Sequence, residues 1–158
     1  MLVQAYQRRE AALAEHLEVH VAGMCYRRLQ GTWFVLLQRR ARDRELFPGL
    51  LEGCGGRLRP RESFRDGVFR HFATELGVKV LVLSTHEFYE IPCSDGPIPG
   101  IRFLCLFETE VEKGTLVTES EWYLKDAVVG MVDEDFIPGV KQVVLAWFDE
   151  LSRNGAHG

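Results

Sequence analysis

The stretch Gly56–Val78, GRLRPRESFRDGVFRHFATELGV, constrains this chain more than any other. It follows a dense glycine turn, Gly53-Cys54-Gly55-Gly56, a density that suits tight backbone turns and close approach of another backbone or a ligand. A polar loop with Pro60 then leads into a helix starting near Glu62 or Ser63, with acidic residues in its first turns where the helix dipole favours them. Val68, Phe69, Phe72 and Leu76 recur at three- to four-residue spacing, so one face packs on a core. Arg70, His71, Thr74 and Glu75 share a different face, and Gly77 is placed to cap the C-terminus. Such a segment needs a sheet to lie on.

The flanking sequence supplies it. Leu17 to Tyr26 begins with period-two alternation and predicts a strand; Gln30-Gly31 is a turn signal, and Trp33–Gln38 is its hairpin partner. On that first strand His16, Glu18 and His20 fall on one solvated side rather than forming a metal pair. Leu50 to Leu58 is a short strand broken by glycines. Val78–Ile91 predicts one long strand, bent near Ser84-Thr85, before a Pro/Gly-rich loop over 92–100. Strands are expected at Ile101–Val111 and Glu121–Leu124, around a turn at Glu112-Lys113-Gly114. From Pro138 to Ser152, Val140, Val143, Val144, Trp147, Phe148 and Leu151 mark an amphipathic helix. A short N-terminal helix over 4–15 and a frayed tail over 153–158 complete one domain spanning 1–158. Strands with helices inserted late predict an α+β or α/β/α sandwich.

Composition narrows the partners. A 46 % hydrophobic fraction over 158 residues supports one packed core. The net charge of −4 offers no general field for nucleic acid, although Arg39 to Arg44 is locally basic. The longest apolar runs fall far short of the ~20 residues of a membrane span, and no secretory signal pattern is visible, so the expected location is the cytoplasm. Cys25, Cys54, Cys93 and Cys105 lack zinc-site spacing and are expected as free thiols, with Cys25 and Cys105 in the core.

The spacing of Gly56, Glu62, Arg70, Glu75, Gly77 and Val78 resembles the Nudix box, G-x5-E-x7-R-E-U-x-E-E-x-G-U, with Phe72 at the first bulky position. The resemblance implies the Nudix fold, an α/β/α sandwich with a mixed sheet between helices. It implies Mg²⁺ or Mn²⁺, hard ions that want oxygen ligands and that polarise phosphoryl oxygens and activate water. The family's three metal-ligating carboxylates would stand at 71, 74 and 75, where this chain has His71, Thr74 and Glu75. Glu62 and Arg70 correspond to the pair that braces loop against helix, Gly55 and Gly56 to the turn before it. Carboxylates outside the box could compensate; Glu119 and Glu121 resemble the late acidic residue that family members recruit, and Glu52, Asp66 and Glu87 are further candidates.

The resemblance therefore assigns catalysis to Glu75, Arg70 and Glu62, metal binding to Glu75, His71, Glu119 and Glu121, and ligand contact to Gly55 and Gly56; outside it, the basic run 39–44 and the 92–100 loop are expected to line a pocket, with Arg39 or Arg40 meeting phosphate and Phe88 or Tyr89 stacking on a base. The expected partner is a small phosphorylated, nucleotide-like molecule, and the family implies a homodimer. Two functions stay open. The first is a divalent-metal-dependent hydrolase of a nucleoside diphosphate linked to another group. The second is an impaired Nudix-fold protein that binds a nucleotide, metabolite or protein partner, which the missing carboxylates at 71 and 74 favour. A third rests on Cys54: Phe47 to Cys54 is somewhat similar to the strand before the box in isopentenyl-diphosphate isomerases, which carry a catalytic cysteine there.

Overall fold

The computed structural model describes residues 18–112 and 119–155, so the expected helix over 4–15 and the turn at Lys113-Gly114 lie outside the described residues. Seven strands form one mixed sheet: β1 (His20–Leu29), β2 (Thr32–Arg39), β3 (Leu51–Glu52), β4 (Cys54–Arg57), β5 (Val78–Ile91), β6 (Ile98–Glu110) and β7 (Glu119–Leu124). The order is β3-β2-β1-β6-β5, with β4 paired to β1 and β7 to β2. Only β1 and β6 run parallel among the strand pairs of the described residues; the other pairs are antiparallel. The β1–β2 hairpin closes through Gln30 and Gly31, both at positive φ, as a two-residue hairpin turn requires.

Alternation along β1 buries both faces. Val21 and Cys25 join Leu36, Cys54, Ile101 and Cys105 on one side, against Val68 and Phe72. Met24 and Tyr26 join Val35, Leu37, Leu51 and Leu104 on the other. The first face is covered by helix α1 (Phe64–His71) and its continuation Phe72–Leu76, the second by helix α3 (Val140–Gly155). Tyr26 ties the second layer down, its hydroxyl donating to the Val144 carbonyl at 2.8 Å and its ring meeting Phe148 edge-on. The result is a mixed sheet between helices, the expected α/β/α sandwich.

Four details differ from the sequence reading. Helix α3 continues to Gly155, so 153–155 are helical rather than frayed. The 92–100 loop is shorter than expected, because β6 already pairs at Ile98 with Ile91. A short helix α2 (Lys125–Gly130) follows β7 directly; Leu124 caps it without a side-chain hydrogen bond, so no start signal marked it. Finally, the box helix is not uniform: residues Phe72–Leu76 widen into a π turn, closed by the Gly77 amide donating to the Phe72 carbonyl. Gly77 sits at φ 65°, the left-handed cap its position predicted.

The four cysteines are free thiols, with Cys25, Cys54 and Cys105 buried and Cys93 exposed. No helix among the described residues is long and apolar enough to cross a membrane.

Candidate functional site

The box begins where β4 pairs with β1, Gly55 opposite Ala22 and Gly56 opposite Val21. A Cβ on Gly55 would stand 2.2 Å from the Val21 carbonyl oxygen, so only glycine lets these backbones approach. Ser63 caps α1 by accepting from the Asp66 amide at 3.1 Å. Across the intervening loop, Arg70 grips Glu62 in a two-pronged bond, Nε to Oε2 and Nη2 to Oε1, both 2.8 Å. The same Nη2 donates to the Arg57 carbonyl at 3.0 Å, and the Arg59 amide donates to Glu62 at 3.1 Å. Hydrogen bonding from Arg70 pulls the Glu62 carboxyl down to about 2. This is a brace of loop against helix, with the geometry the sequence spacing suggested.

The face that would hold metal is built differently. His71 is buried, and its Nε2–H donates to the Arg57 carbonyl at 3.0 Å. That bond leaves a lone pair on Nδ1, 4.0 Å from Glu75 Oε1. Burial holds its pKa below the ordinary histidine value. The ring packs on Gly56, where a Cβ would meet Cε1 at 2.7 Å. Thr74 turns its hydroxyl back onto its own helix, donating to the Arg70 carbonyl at 2.8 Å. Glu75 accepts from the Cys54 thiol at 2.9 Å.

Glu52 stands beside this group. Burial raises its pKa, Arg40 opposes the rise, and the charge of Glu75 adds to it. Cys54 itself is 1 % exposed, and burial followed by the neighbouring Glu75 charge pushes its thiol far up. Burial thus holds Cys54 as a neutral thiol that donates to Glu75.

The remaining candidates sit elsewhere. Arg39 donates to the Gly49 carbonyl at 2.8 Å; Arg40 donates to the Leu46 carbonyl at 3.0 Å and to Glu52 at 3.2 Å. Both guanidinium groups pin the 40–50 loop rather than standing open for a phosphate. Glu119 and Glu121, on β7, pair with Arg39 and Leu37 of β2 and line a small cavity of about 70 Å³ with Leu51 and Tyr123. Leu37 and Leu51 belong to the α3 side of the sheet, whereas Glu75 and Cys54 lie on the α1 side. The structure therefore does not bring Glu119 or Glu121 together with Glu75 and His71. Asp66 lies in the first turn of α1, and Glu87 pairs with Arg102 across β5 and β6. Phe88 is 77 % exposed, while Tyr89 lies under the Arg102 guanidinium, 4.3 Å from its ring centre.

These donors do not fit a cluster of hard divalent ions. Mg²⁺ wants several oxygen ligands, yet this face offers one carboxylate, Glu75, which accepts from Cys54, beside an imidazole nitrogen at His71 and a neutral hydroxyl at Thr74. Among the described residues no three His, Cys, Asp or Glu side chains converge as a metal site.

Sequence reading missed Arg102 and the cavity beside it. A lone cation inside the apolar run Ile101–Leu106 was the available signal, since a buried charge needs a partner. Arg102 is 6 % exposed, stacked on Tyr89 and paired to Glu87. Burial raises the Tyr89 hydroxyl to about 12 against the pull of Arg102; Glu52 and Glu87 reinforce the rise, so Glu52 lies within electrostatic reach of this ring.

With fold and box in place, comparison with known proteins is decisive for the family. The NUDIX domain model matches residues 16–147, and the chain belongs to the NUDIX domain family. No curated protein matches it by sequence. Among solved structures it is similar to the C. elegans Ap4A hydrolase in a binary complex, at 14 % identity and TM-score 0.65, covering 90 % of this chain and 100 % of that one. The NUDIX domain of Shewanella oneidensis NrtR, complexed with ADP ribose, gives 17 % identity and TM-score 0.65 over 85 % and 88 % of the two chains. A NUDIX-family hydrolase from Clostridium perfringens gives 10 % identity and TM-score 0.68 over 84 % and 97 %. At these identities the likeness is one of fold.

Proposed function

We propose that this chain is a NUDIX domain that binds a nucleoside diphosphate linked to another group and turns it over poorly or not at all. The carrying observation is the contrast within the box. The Glu62–Arg70 brace and the Gly55-Gly56 turn are formed, but the ligating face keeps one carboxylate, Glu75, which accepts from Cys54, where His71 and Thr74 bring no charge. Exposed Arg57, at the end of β4, and Arg59, on the loop that the brace fixes, supply positive charge for a diphosphate. The fold is shared with a NUDIX domain that holds ADP ribose. The family's general reliance on Mg²⁺ or Mn²⁺ stays an expectation here, because one box carboxylate remains.

A hydrolase reading keeps one specific support: the Glu75 charge is close enough to Glu52 to help hold its carboxyl above the ordinary value. Two such carboxylates are the minimum from which a weak cation site could be drawn, with Glu75 as the reacting-side group.

Calorimetric titration of ADP-ribose, GDP-mannose and UDP-glucose, each in EDTA and in Mg²⁺, separates the two. ³¹P spectra of the same samples report product. The binding reading expects saturation by at least one compound in EDTA, with the ³¹P lines unchanged over hours. Saturation that requires Mg²⁺, with cleavage abolished in Glu75→Gln, would establish the hydrolase instead.

A further inference from the structure

The sheet ends in two unlike edges. β7 spans only Glu119–Leu124 and opens with Glu119-Ser120-Glu121, and charge of that kind discourages pairing with a further chain. β5 runs the length of Val78–Ile91, and among the described residues no strand pairs with its outer side. Native proteins blunt such an edge with proline, a short run or a cover, because its free N–H and C=O groups are a template for pairing. β5 contains no proline, and it exposes Leu81 at 43 % and Phe88 at 77 %, the latter the most exposed large apolar side chain described. An apolar edge of this length fits another strand.

The layout of β5 says which strand. Its register with β6 shifts between Val82 and His86, leaving regular pairing on either side, over Val80–Val82 and His86–Ile91. Val80 and Val82 face the α1 layer, and so do Ile101 and Phe103, which pair with Phe88 and His86. Paired residues share a face, so Phe88 lies on the α1 side and Leu81, Glu87 and Tyr89 on the other. Lys79, between Val78 and Val80, lies on that other side too. Charge changes sign along the strand, with Lys79 near its start and Glu87 and Glu90 near its end. A parallel copy would set like charge beside like. An antiparallel copy centred on Ser84 sets opposites together. It puts Val80 opposite the partner's Phe88 on one face, and Lys79 and Leu81 opposite the partner's Tyr89 and the partner's Glu87 on the other. Diagonal neighbours are also in reach, which brings Lys79 to the partner's Glu87 and Leu81 to the partner's Tyr89.

We propose that β5 is the seat of an antiparallel two-fold contact with a second copy of this chain, joining the two sheets across their edges. The same patch serves both copies, so the assembly closes at two. The contact covers Leu81 and Phe88 on opposite faces of the joined sheet. It also brings the partner's Lys79 to the edge of a cavity of about 490 Å³, which Glu87, Tyr89, Arg102 and Trp147 line between the sheet and the first turns of α3. The inference rests on the strand edge and is independent of the ligand proposed for the box.

Sedimentation equilibrium of the full chain over a concentration series tests it. The expected result is a mass that rises to twice that of the chain. Leu81→Lys and Phe88→Lys, both at exposed positions, should each weaken association about tenfold or more while the melting transition stays in place. Lys79→Glu should also weaken it, and should remove most of its sensitivity to salt. A nitroxide on Ser84→Cys, in a Cys93→Ser background that removes the other exposed thiol, should show dipolar broadening in the dimer that dilution with unlabelled chain abolishes. A chain that stays monomeric throughout, a dimer indifferent to both lysine substitutions, or a dimer without broadening at 84 would overturn the assignment.

Discussion

Glu62 accepts from two nitrogens of Arg70 and from the Arg59 amide, and the consequence is a pH-dependent share of stability. Its carboxyl titrates near the ordinary 4.5 when unfolded and at about 2 when folded, so between those values the unfolded chain holds more protons. The contribution is whole above 4.5 and is lost as pH falls through about 2. Glu62→Gln should therefore cost on the order of 2 kcal/mol at neutral pH, allowing for solvent around the pair, and the gap to wild type should narrow in acid. Urea titrations across a pH series read this directly. His71 works in the same direction higher on the scale. Its folded pKa lies below 6.5, so the unfolded chain takes up a proton first, and stability falls as pH drops below 6.5. His71→Gln can still donate to the Arg57 carbonyl but does not titrate; its stability should stay flatter than wild type between pH 7 and 5.

At the scale of elements, the box helix ends in a π turn over Phe72–Leu76. Thr74 bonds back to Arg70 and, at 3.4 Å, to the His71 carbonyl, in the stretch where the helix widens. If the residues at 71 and 74 are what weakens metal binding here, His71→Glu with Thr74→Glu should produce Mn²⁺ binding that calorimetry detects. A double variant that folds and still ignores Mn²⁺ would place the cause outside these two positions. The element scale is also where the sequence was most legible. The Gln30-Gly31 turn, the helix beginning at Ser63 and the stop at Gly77 are local chemistry, and each appears where spacing predicted it. The π widening was hidden because its apolar residues, Phe72 and Leu76, keep ordinary helical spacing. The positions of Glu119 and Glu121 were hidden for another reason. Which sheet face a strand residue takes depends on register with β2, a long-range fact that their local sequence does not contain. Arg39 and Arg40 looked like open cations because nothing local showed the loop folding back onto them.

Across the whole molecule, the sheet has two covered faces. The α1 side carries the braced box, and the α3 side carries the cavity around Arg102. The α3 layer is held by apolar packing and by the buried Tyr26 hydroxyl bond to Val144. Tyr26→Phe should lower stability by about 1 kcal/mol, measured by denaturant unfolding, without altering ligand affinity at the box.

The central claim is that the box keeps its scaffold and has lost its metal-holding face. Titrating Mn²⁺ into the wild-type chain, with free ion counted by electron paramagnetic resonance, tests it most directly. The account predicts that the free-ion signal tracks added Mn²⁺ into the millimolar range, identically for wild type and Glu75→Gln. Stoichiometric uptake by wild type that disappears in Glu75→Gln would contradict it.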